Sequence, residues 1–78
     1  NDYNYKLFYL VQTYALLSSK NPKYLKKAKH YAEEFLRGAE DDFDSYGFFL
    51  LFMYSYYVRI LWQEEDFNRL KQVIAHVN

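Results

Sequence analysis

The residues best equipped for chemistry fall in two charged clusters. Asp42–Phe43–Asp44–Ser45–Tyr46–Gly47 places oxygen donors at the first and third positions of a calcium loop and glycine at the sixth. The pattern then fails, because the fifth position is Tyr46 and the twelfth, where a bidentate Glu belongs, is Met53. These acids read better as helix caps. The second cluster is Lys20, Lys23, Lys26, Lys27 and Lys29, followed by Glu33 and Glu34 on the same segment. Such a run can hold phosphate or an acidic peptide, but on an amphipathic helix it reads first as a solvated face. His30 and His76 stand far apart without companion ligands at metal spacing. No Ser–His–Asp ordering, glycine-rich phosphate loop or paired buried carboxylates can be read. The sequence therefore assigns no catalytic residue, no cofactor and no metal ligand, and the chain reads as non-enzymatic.

Composition narrows the class further. Ten basic and ten acidic residues cancel, so no global field draws the chain to nucleic acid or to an anionic membrane. Cysteine is absent, which excludes disulfides and thiol chemistry. The unusual quantity is the aromatic share of 23%, made of ten Tyr, seven Phe and one Trp. Tyrosine offers apolar area with a polar tip and can work half-exposed. The uncharged run from Ser45 to Val58 is too short, too rich in Tyr and too soon interrupted by Arg59 for a membrane span of about 20 residues. It reads as a buried helix. The chain opens at Asn1–Asp2 without a signal-peptide pattern, which points to a segment of a longer, cytoplasmic protein.

These residues need elements to position them, and four helical stretches are legible. The first covers roughly 3–19, with Tyr3, Leu7, Leu10, Tyr14 and Leu17 as its stripe. Asn21–Pro22 breaks the chain and restarts it, since Asn suits an N-cap and Pro the first helical position. The second helix runs to about Arg37, with Leu25, Ala28, Tyr31, Ala32, Phe35 and Leu36 on one face and Gly38 as its C-cap. An acidic linker spans 38–44. Asp44 or Ser45 caps a third helix that ends near Trp62 or Gln63. A tight turn follows, and Asp66 caps a fourth helix whose stripe is Phe67, Leu70, Val73, Ile74 and Val77. Short connections force antiparallel neighbours. The expected fold is all-α and a single domain over 1–78. Hairpin one covers about 3–37 and hairpin two about 45–77. Tyr24 and Phe67 open the second helix of each pair 43 residues apart, the mark of a helix-pair repeat.

At these turns the chain resembles the tetratricopeptide (TPR) family. Trp62–Gln63–Glu64–Glu65–Asp66–Phe67 is similar to that family's turn between its paired helices, and Tyr24 with Ala28, Tyr31 and Ala32 is similar to the opening of its second helix. The spacing exceeds the family's usual 34 residues. Tyr57 or Val58 stands where a small residue is usual, Leu70 replaces an Ala, and no Pro closes either pair. The resemblance implies a scaffold that holds peptides or protein surfaces, and it brings no catalytic residues. It also admits a peptide-sensing role within a bacterial-type regulator.

The first and third helices carry more apolar surface than one stripe requires. On the third, Tyr46, Leu50, Met53, Tyr54, Tyr57, Ile60 and Leu61 share the core side, while Phe48, Phe52 and Tyr56 lie opposite with Ser55, Arg59 and Gln63. On the first, Tyr5, Phe8, Tyr9 and Leu16 surround Gln12, away from the main stripe. Surplus aromatic surface usually marks a contact. The expected partner-binding set is Tyr5, Tyr9, Gln12, Phe48, Phe52, Tyr56 and Arg59, taking a protein or peptide in a groove. The same faces also suit neighbouring repeats or a homo-oligomer.

Overall fold

The computed structural model describes residues 2–77, and Asn1 and Asn78 lie outside that range. The chain is all-α, with α1 at Asp2–Leu17, α2 at Tyr24–Ala39, α3 at Phe43–Gln63 and α4 at Phe67–Val77. Side-chain pairs fix the packing. Tyr14 stacks on Tyr24 and Tyr31, Phe8 meets Phe35, and the Asn4 side chain lies against Gly38, so α1 and α2 run antiparallel. Trp62 meets Phe67 and Tyr54 meets His76, which sets α3 and α4 antiparallel as well. Tyr5 touches Tyr46 and Phe49, and Gln12 reaches Tyr56, so α3 lies parallel to α1. Among the described residues, helix α3 packs on both helices of the first hairpin, whereas the backbone of α4 approaches α3 closely and α2 only through side chains.

Local chemistry explains where the helices start and stop. Helix α2 begins at Tyr24 rather than Pro22, with Lys23 at its N-cap and no side-chain cap bond. Asn21 Oδ1 instead accepts from the Lys23 amide at 3.2 Å within the tight turn through Pro22. Helix α3 is capped by Asp42, whose carboxylate accepts from the Ser45 amide at 3.2 Å, rather than by Asp44 or Ser45. The acidic linker shrinks accordingly to Glu40–Asp42. Gly47 bends the first turn of α3 with φ 27° and ψ −106°, a conformation that L side chains avoid. At the far end of α3, the Glu65 and Asp66 amides donate back to Trp62 and Leu61 carbonyls at 3.1 and 3.0 Å. Glu65 takes the left-handed position of this closure (φ 59°), usually a glycine site. Asp66 then caps α4 by accepting from the Arg69 amide at 3.2 Å.

Gly38 does not end α2 as its position suggests, because the helix continues through Ala39. A Cβ at Gly38 would stand 3.3 Å from Asn4 Oδ1. The missing side chain makes room for the buried Asn4, whose amide donates to Tyr46 Oη at 2.9 Å. One polar contact thus ties the start of α1 to the start of α3.

The core face of α3 follows the sequence reading: Tyr46, Leu50, Met53, Tyr57, Ile60 and Leu61 are buried, with Tyr54 at the margin. Helix α1 is turned by about one residue from the expected stripe. It buries Asn4, Leu7, Phe8 and Val11, while Tyr3 and Leu17 are exposed. Phe8, placed by sequence on the surplus side, is a core residue touching Phe35, Phe49, Phe52 and Tyr56. The third helix supplies the reason. It covers the flank of α1 that a lone hairpin would leave open.

Candidate functional site

The surface left over by this packing lies along α1 and α3, on the side away from α2 and α4. Parallel alignment brings Gln12 and Leu16 of α1 beside Tyr56, Arg59 and Gln63 of α3, with Phe52 against Phe8. Tyr9, Leu16, Phe48 and Phe52 are 60%, 75%, 75% and 55% exposed. A shallow groove of about 410 Å³ runs between Gln12, Ala15 and Leu16 on one wall and Tyr56, Arg59, Ile60 and Gln63 on the other. Its floor is organised by hydrogen bonds. Gln12 Nε2 donates to Tyr56 Oη at 3.0 Å, and the Arg59 guanidinium lies 5.8 Å from the Tyr56 ring centre. Arg59 also donates to Ser55 at 3.1 Å. The phenol therefore serves as a hinge between the two helices and as a platform for the cation.

Of the seven partner-binding residues named from sequence, Gln12, Tyr56 and Arg59 line this groove, while Tyr9 is exposed on α1 and Phe52, also exposed, lies against Phe8. Tyr5 is partly buried against Tyr46 and Phe49, and its hydroxyl donates to the Ser45 carbonyl at 3.4 Å, so it buttresses the α1–α3 junction. Phe48 is open to solvent, at the rim near the bend of Gly47. Leu16 and Gln63 line the groove but were not singled out for the site. Their signal was helical spacing from Tyr9, Gln12 and Arg59.

A second cleft, of about 660 Å³, opens between α2 and α4 over α3. Most of its polar groups pair with one another. The Tyr57 ring is wholly buried, and its hydroxyl donates to Glu33 at 2.6 Å and accepts from Arg69 Nε at 3.2 Å. Arg69 also donates to Gln72 at 3.1 Å. Tyr54 donates to Glu40 at 3.1 Å, and His76 stands 3.8 Å from the same carboxylate. Burial first, and the neighbouring carboxylate second, push both phenols up to about 12. The arrangement clamps α2, α3 and α4 together. Sequence spacing could not reveal it, because its members are drawn from three helices.

Three of the five clustered lysines are engaged by their own chain. Lys29 pairs with Asp66 at 3.2 Å, and Lys27 and Lys23 lie over the Tyr14 and Tyr24 rings. The Arg69 amide, followed by Lys29, holds the Asp66 carboxyl below the usual carboxylate range. Among the described residues, no group of three or more His, Asp or Glu could hold a metal ion, and no helix is long and apolar enough to cross a membrane. No family model, no curated protein and no solved structure matches the chain.

Proposed function

We propose that the chain is a non-catalytic scaffold that holds a protein or peptide segment along the α1–α3 groove. The supporting observation is the shared exposure of Tyr9, Leu16, Phe48 and Phe52 beside a preorganised Gln12–Tyr56–Arg59 set. Large apolar side chains left in water forgo about 1.5–3 kcal/mol each. A partner helix or extended segment recovers that energy, and Arg59 with Gln12 fixes its orientation through polar contacts. Two hairpins with their first helices side by side support the reading, because helix-pair stacks use their first helices as the binding wall.

The test uses a displayed random-peptide library selected on the immobilised chain, with fluorescence anisotropy on the enriched peptides. These peptides should carry apolar anchors, and Phe48→Ala with Phe52→Ala should weaken them by at least tenfold while the circular dichroism stays helical. Unchanged affinity in that double variant, or its unfolding, would overturn the proposal.

A further inference from the structure

The two hairpins repeat one another closely enough to show what each end of the molecule fits. On α3, Tyr46, Phe49 and Tyr56 meet the first hairpin, and the buried Met53 and Ile60 continue the same stripe. They correspond to Tyr3, Lys6, Leu10, Thr13 and Leu17 of α1, each 43 residues earlier in the chain. On α1, the residues turned toward α3 are Tyr5, Phe8, Gln12 and Ala15. Their counterparts at the same offset are Phe48, Leu51, Ser55 and Val58 of α3. That second set has no helix over it. Leu51 is 55% exposed and Trp62, on the same flank, 64%.

Helix α4 completes this end face, with a register shifted by one residue. Tyr24 packs inside its own hairpin on Tyr14, at 5.6 Å between ring centres. Phe67 instead meets Trp62 on the outer flank at 5.5 Å. The residue equivalent to Tyr24 is therefore Asp66, not Phe67 as the turns suggest. Phe67 and Ile74 then stand where Leu25 and Ala32 stand on α2, on the side that receives the next hairpin. Both are about two-fifths exposed. The molecule thus has a tail face (Leu51, Val58, Trp62, Phe67, Ile74) and, on the outer flank of α1, a head face (Leu10, Leu17 and the exposed edge of Tyr3).

We infer that the tail face of one copy receives the head face of a second copy, repeating between molecules the packing that α3 makes on α1 and α2 within one. The occupant follows from the internal precedent. The face that α3 covers and the uncovered tail are the same positions in successive hairpins, and the head carries apolar residues at the register of Tyr46, Met53 and Ile60. Head and tail are different surfaces, so the contact is heterologous and propagates instead of closing at a dimer. This surface lies beside the α1–α3 groove and does not depend on its having a ligand.

Sedimentation velocity of the whole chain from about 1 μM to about 1 mM tests it. The weight-average mass should climb past that of a dimer. Leu51→Glu and Leu17→Glu should each abolish growth, and an equimolar mixture of the two should form a one-to-one pair and nothing larger, because one intact head meets one intact tail. A concentration-independent monomer, an assembly that stops at two in the wild type, or a mixture that stays monomeric would overturn the inference. Both positions are solvent-facing, and Leu51→Lys and Leu17→Lys repeat the test if a glutamate variant loses helicity. Phe52→Ala should leave assembly intact and Leu51→Glu should leave peptide affinity intact, so the groove and the stacking proposals fail separately.

Discussion

Replacing Tyr57 by Phe removes a single oxygen from the clamp between α2, α3 and α4. The ring is wholly buried and Phe refills its volume, so no cavity forms. What is lost is the bond donated to Glu33 at 2.6 Å and the bond accepted from Arg69 at 3.2 Å. Hydrogen bonds to charged groups contribute about 1.5–3 kcal/mol each. Arg69 reaches solvent and Glu33 is only half-buried, so water recovers part of both. The net cost is then about 2 kcal/mol, or about 8–16 °C in Tm for a domain of this size. Urea unfolding followed by far-ultraviolet circular dichroism measures it, with an unchanged denaturant slope showing that the denatured state is not the cause. Tyr54→Phe is the internal control. Its bond to Glu40 is exposed, and its loss should cost about 0.5 kcal/mol. If Tyr57→Phe costs no more than Tyr54→Phe, the clamp does not hold the hairpins together and the reasoning fails.

The same phenols give stability a signature at high pH. Each sits at about 12 in the fold, above the ordinary value near 10 in an unfolded chain. Between those values the unfolded state has released protons that the native state keeps. Their contribution is complete below pH 10 and is lost as pH climbs toward 12. Absorbance titration at the tyrosinate band, run with denaturation midpoints on wild type and on Tyr57→Phe, should show the variant losing less stability over that interval. Gly47→Ala should lower stability by about 1–3 kcal/mol through backbone strain alone, since φ is 27° and a Cβ there meets no atom within 4 Å. A calorimetric Tm equal to that of the wild type would show that the bend relaxes freely.

The four helices and the core face of α3 were legible because polar residues punctuate the chain where helices end and because Ser55, Arg59 and Gln63 mark the back of α3 even among its surplus aromatics. Helix α1 has no such back. Its apolar and aromatic residues run nearly all the way round, so periodicity alone could not say whether Tyr3 or Phe8 faces inward. Neighbours decided it. Asn4 is buried because Gly38 leaves a gap and Tyr46 offers an oxygen, neither of which is visible from the sequence of α1. The apparent equivalence of Tyr24 and Phe67 failed by one residue for a similar reason. Each opens a helix, but the tighter second turn rotates α4 by about 100° relative to α2. Of the residues lining the groove, Gln12, Tyr56 and Arg59 were named from sequence, by their polar tips amid aromatic neighbours. The clamp around Tyr57 was not, because it joins residues from three elements that no short spacing connects.

Helix α4 packs its backbone along α3 and reaches α2 through polar side chains, and it carries two of the five tail-face residues. In quasi-linear stacks a terminal unit lacks one of its two nearest-neighbour energies and opens first. A copy seated over Phe67 and Ile74 would supply the missing energy and raise the cost of local opening there by mass action. If copies stack in this way, lengthening an assembly and tightening its end are one event, and the final helix of the last member would be the first to open.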